Sequence, residues 1–166
     1  MKTAACRALF AVEFIVLGLP SIVLFGGLAL ILSAYALIYA LAVLGQLVTA
    51  LFAVEEVPGI MAVLVVILLG LGLGVLGLRA VSAFLQLSMA YLQGGRSALP
   101  ERRKLFARGF ACALPPIIPL WAIVPSIAAN GGLAATTTAF FVTGAAIAIP
   151  IVHMFIAMKR AEGDLA

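Results

Sequence analysis

Charge in this chain is confined to short islands, and the gaps between them are very long. Residues 14–54, 57–78 and 109–158 contain no Asp, Glu, Lys or Arg. A soluble domain spends about a quarter of its residues on charge. This chain spends 10%, against 66% hydrophobic residues over 166 positions. A soluble core of that length cannot enclose so much apolar surface. A bilayer can, because lipid tails solvate apolar side chains. The pattern predicts an all-α integral membrane protein.

A spanning helix needs about 20 apolar residues. Three of the expected spans fall at 59–79, 110–130 and 133–158. The first uncharged run poses a harder question. Its 41 residues would reach about 60 Å as a helix, twice a hydrocarbon core. It holds either one span near 28–53 behind an N-terminal helix, or two spans turning at Gly26-Gly27. Charge sidedness favours the first. The turn Glu55-Glu56-Val57-Pro58-Gly59 is acidic, whereas the loop over 94–109 carries Arg96, Arg102, Arg103, Lys104 and Arg108. Cytoplasmic loops collect Lys and Arg. One span before the acidic turn then puts Lys2 and Arg7 on the basic side too.

The expected architecture is therefore a single membrane domain, a four-transmembrane helical bundle with an extra N-terminal interfacial or re-entrant helix over 1–26. The Leu19-Pro20-Ser21 step is the expected break after that helix. The expected location is a bacterial inner membrane, with both termini on the cytoplasmic side. The N-terminus does not read as a cleaved signal peptide, because the apolar run is too long and Glu13 interrupts its start. Beyond Arg79, residues 80–93 form an amphipathic extension ended by Gly94-Gly95, with Ser82, Gln86 and Gln93 on the face of Arg79.

Two features concern packing. Gly70, Gly74 and Gly77 form one stripe on the second span. Gly26, Ala29, Ser33 and Ala36 form a matching stripe on the first. Small residues let helix backbones approach closely in lipid, either within this hairpin or against a foreign helix. Pro115, Pro116, Pro119 and Pro125 crowd the third span, where each removes a donor. They are the expected helix break, and freed carbonyls there could line a site as in broken transporter helices. Arg102, Arg103, Lys104 and Arg108 fix orientation and can hold anionic lipid headgroups.

Chemistry is harder to find. His153 is the only histidine, and it reads as hydrogen-bonded structure near the inner end of a span. Glu13 has Arg7 or Arg79 as expected partners. Tyr35, Tyr39 and Tyr91 suit an interfacial aromatic belt. Cys6 and Cys112 lack metal-ligand spacing and are expected to be free thiols. No serine sits in a nucleophile elbow, and the glycine run is not followed by the Lys-Ser/Thr of a phosphate loop. The chain is expected to be no enzyme, to carry no cofactor and to bind no nucleic acid.

The expected partners are membrane lipid and an integral membrane protein or a second copy. The leading expectation is an accessory subunit of a membrane complex, or an immunity protein against a membrane-inserting toxin. The span count and the cytoplasmic termini are similar to those of some pore-forming colicin immunity proteins, a likeness of topology that no motif carries. The alternative is a subunit of a small transporter or channel, motivated by the proline-rich third helix and by Gln46, Thr49 and Thr143.

Overall fold

The structure is a computed structural model describing the backbone of residues 2–53, 59–142 and 144–163. The acidic turn Glu55-Glu56-Val57-Pro58 and Thr143 lie outside the described residues. Five α-helices carry nearly all of the fold: α1 (Lys2–Glu13), α2 (Leu19–Ala53), α3 (Ile60–Gly94), α4 (Arg103–Val142) and α5 (Ala148–Gly163). Two helical stretches are long and apolar enough to cross a membrane, Ala4–Thr49 and Ala62–Ala98; a bent pair over Ala135–Phe141 and Ala145–Gly163 makes a third if it counts as one span.

The expected break after Leu19 is absent. A π-turn over Phe14–Gly18 joins α1 to α2, with the Leu19 N–H donating to the Phe14 carbonyl. Pro20 lacks an N–H, and its ring crowds the carbonyl four residues back, that of Val16. The wider π-turn lies over that carbonyl, so the backbone passes the proline without stopping. The result is one continuous stretch of 46 residues, about 69 Å long.

Helix α4 also departs from expectation. Its backbone stays helical through Pro115, Pro116, Pro119 and Pro125; the one non-helical residue within it is Gly132, at φ 62°. Proline fixes φ near the helical value, so lost donors need not change the path. The chain turns instead where glycine permits a positive φ. The segment 133–158 is likewise not one straight helix. It bends by 57° between Phe141 and Ala145, with Gly144 at φ 74°.

Helix α2 runs antiparallel to α3, and the two small-residue stripes face each other. A Cβ built on Gly70 would lie 3.0 Å from Ala36 Cβ, and one on Gly77 would lie 3.0 Å from Ala29 Cβ. Gly74 is tighter still, with the Ala29 carbonyl oxygen 2.9 Å from where its Cβ would stand. Ser33 Oγ donates to that same carbonyl at 2.8 Å. Gly26 packs under Val81.

Below this seam the hairpin joins a thicker bundle. Phe10 of α1, Phe84, Leu87 and Tyr91 of α3, and Met154 and Met158 of α5 form its core. Leu99, between the two 3₁₀ turns that link α3 to α4, is buried among them. Phe10 meets Tyr91 edge-on at 4.8 Å between ring centroids, a geometry worth about 0.5–1.5 kcal/mol beyond burial. The multi-helix core lies at the end holding Arg7, Arg96 and Arg103, and the α2–α3 seam runs on away from it, with α4 also packed along α3.

Candidate functional site

Three polar side chains from three helices meet inside the bundle. Glu13 ends α1, and its Oε2 accepts from His153 Nδ1 at 2.9 Å. His153 lies on α5, and its Nε2 lies 3.4 Å from the Tyr91 hydroxyl of α3. A carboxylate can only accept, so Nδ1 carries the proton; in the neutral imidazole Nε2 then accepts from the Tyr91 hydroxyl. The Glu13 and His153 side chains are each 18% exposed. Phe10 packs edge-on against both rings, 5.5 Å from His153 and 4.8 Å from Tyr91. Tyr91 itself is 1% exposed, so it belongs to the core rather than to a surface belt.

One turn earlier, Arg7 donates to the Leu92 carbonyl and, at 3.3 Å, to that of Gln93. These are among the last carbonyls of α3, which have no partner within the helix. A cation there also complements the helix dipole. The two partners weighed for Glu13 are therefore otherwise placed: Arg7 caps α3, and Arg79 makes no ion pair among the described residues. The nearer partner was His153, 140 positions away. Both residues sit near the basic end of their helices, and that shared depth was the available signal.

Two grooves flank this structure. One, of about 360 Å³, opens beside the Glu13–His153–Tyr91 group and is lined by Cys6, Leu9, Arg96, Ile149, Val152 and Arg160 among others. The second, of about 510 Å³, lies on the hairpin between α2 and α3. Its floor includes Ala36 and Gly70, and its sides include Tyr35, Tyr39, Val63 and Val66. Tyr35 and Tyr39 are each 60% exposed. Tyr35, Tyr39, Ala42, Gln46 and Thr49 repeat at offsets of 4, 3, 4 and 3, one stripe of α2, and all five are exposed. Thr49 Oγ1 donates back to the Gly45 carbonyl at 2.6 Å. Among the described residues, Tyr35, Tyr39 and Gln46 make no side-chain hydrogen bond.

The other sequence candidates divide cleanly. Gly70, Gly74, Gly77, Gly26, Ala29, Ser33 and Ala36 are brought together in the α2–α3 seam. Arg102, Arg103, Lys104 and Arg108 are exposed at the start of α4, with Arg103 3.7 Å from Glu162. Glu162 also accepts from Lys159 at 3.1 Å. Pro115 and Pro116 remain inside a helix. Cys6 and Cys112 are free. Among the described residues, no group of three His, Cys, Asp or Glu side chains could hold a metal. No known family, no curated protein and no solved structure matches this chain.

Proposed function

We propose that this is a small integral membrane protein without enzymatic chemistry, whose α2–α3 hairpin receives a transmembrane helix of another protein. The groove between α2 and α3 carries this reading. Its floor is made of small residues, Ala36 and Gly70, which permit close backbone approach. Tyr35 and Tyr39 line its side, and their stripe continues along α2 beyond the groove to Gln46; all three are exposed. An amide or phenol facing lipid tails leaves hydrogen bonds unmade, and a docked helix would supply the partners. The 4, 3, 4, 3 spacing is that of side chains packing against a neighbouring helix.

The remaining expectations fit this reading as proposals. The basic groups would face the cytoplasm, with both termini, in a bacterial inner membrane. The partner would make this chain an accessory subunit or an immunity protein, and either acts by lateral contact.

The test is co-purification after mild detergent extraction, with a photo-crosslinking residue at Tyr39 or Val66. A single stoichiometric partner is expected at both positions and not at Leu37, on the opposite side of α2. Tyr39→Ala combined with Gln46→Leu should release that partner, while Leu37→Ala should not. Equal adducts from Leu37, adducts only to a second copy, or a partner indifferent to the double variant would overturn the proposal.

A further inference from the structure

The 360 Å³ groove between α1 and α5 changes character along its length. Arg96 and Arg160 line it, with Cys6 beside them; the Cys6 sulfur is 3.9 Å from the Arg96 guanidinium. On α5 its lining residues descend from Arg160 through Ile156, His153 and Val152 to Ile149. That face runs about 16 Å from cation to apolar end. Leu9 of α1 forms part of the opposite wall.

The charge balance of this groove is one-sided. Among the described residues, no carboxylate lines it. The nearest, Glu13, is engaged by His153 Nδ1, and Glu162 is paired with Lys159 and Arg103. Arg7 is turned to the carbonyls ending α3. Among the described residues, Arg96 and Arg160 are left as cations over an apolar floor.

We propose that this groove binds one anionic phospholipid, with its phosphate between Arg96 and Arg160 and the upper part of one acyl chain along Val152 and Ile149. A free phosphate would use the arginines but leave the apolar floor without a role. A neutral lipid would use the floor and leave the arginines unmatched. The groove is distinct from the basic stretch at Arg102, Arg103 and Lys104, which is exposed and offers headgroup attraction without a place for a chain. This inference rests on the membrane part of the proposed function, because a bilayer supplies the ligand.

The full chain is reconstituted in vesicles of equimolar phosphatidylglycerol and phosphatidylcholine, re-extracted in mild detergent, and weighed by native mass spectrometry. One phosphatidylglycerol per chain is expected to remain. Arg96→Gln and Arg160→Gln should each weaken retention roughly fivefold, from the attraction of one cation at an anionic surface. Arg102→Gln should leave it unchanged. Ile149→Trp, with every charge intact, should also weaken it by filling the apolar end. Equal retention of both lipids, equal loss in Arg102→Gln, indifference to Ile149→Trp, or displacement by inorganic phosphate alone would overturn the proposal. A carbonate wash separates the two readings. Release from membranes would sink the membrane reading, whereas an integral chain that retains no lipid sinks only the groove.

Discussion

The α2–α3 seam makes an ordered prediction from four glycines on one helix. Gly74→Ala places a methyl group against Ser33 Oγ and 2.9 Å from the Ala29 carbonyl oxygen. The hydroxyl can rotate away, but the carbonyl belongs to the backbone of α2 and moves only if the helices part. Forcing an extra methyl into such a site costs about 1–3 kcal/mol. Against this, alanine gains up to about 1 kcal/mol over glycine in helix propensity. The net loss for Gly74→Ala, with the full propensity gain, is therefore about 0–2 kcal/mol. Gly70→Ala and Gly77→Ala each meet a methyl at 3.0 Å and should fall near zero or slightly below. Gly72→Ala meets nothing within 4 Å and should stabilise. Unfolding by sodium dodecyl sulfate in mixed micelles, followed by circular dichroism, gives the midpoints. Adding Ser33→Ala to Gly74→Ala should recover only part of the loss, because the carbonyl clash persists. A Gly74→Ala protein as stable as Gly72→Ala would refute the seam.

Three further outcomes follow from the same structure. Glu13→Gln and His153→Ala should each destabilise, and together by less than their sum, with a coupling of about 1–2 kcal/mol; additive losses in the same unfolding assay would show that the contact contributes nothing. Ser88 is fully buried and, among the described residues, its hydroxyl has no partner, so Ser88→Ala should leave stability unchanged or raise it; a clear fall in the midpoint would contradict the assigned environment. Gly144→Ala should cost about 1–2 kcal/mol from the left-handed backbone alone, since its Cβ would meet only Ile117 at an ordinary 3.8 Å. Gly144→Asn should cost less in parallel measurements.

Sequence carried the features that depend on composition and on one helix at a time. Apolar runs specified helices, Gly94-Gly95 specified the end of α3, and the small-residue stripes were readable as periodic faces. The mutual facing of those stripes follows because α2 and α3 are neighbours in sequence with a short connection. What sequence concealed depends on backbone compensation or on distant contacts. Pro20 reads as a stop, but the π-turn at Phe14–Gly18 relieves it, and no residue type announces a π-turn. Four prolines in α4 read as a break, while the path bends at Gly132 and Gly144, where φ is positive. Tyr91 reads as an interfacial aromatic, yet it is a core residue because α1 folds over it. The Glu13–His153 contact joins the first helix to the last, and only packing of α1 against α5 makes it.

On the membrane reading, the length of the first helical stretch argues for a partner independently of the groove. It reaches about 69 Å, while a hydrocarbon core is about 30 Å thick. Tilting by 40°, near the limit for spanning helices, lengthens the path only to about 39 Å. Roughly 30 Å of apolar helix is left over. Arg79 lies between the hairpin and the bundle core and is exposed, so it marks an interface rather than a bilayer centre. If the hairpin lies in lipid, then Leu9, Val12, Ile15 and Val16 of the bundle are exposed beyond it. If the bundle lies in lipid, then Leu37, Ile38 and Leu41 of the hairpin are exposed beyond it. Both placements leave an apolar surface that water would penalise. A protein partner, as proposed above, would remove the penalty in either case; where the hairpin is the part left outside lipid, the tyrosine–glutamine stripe of α2 is placed to meet it.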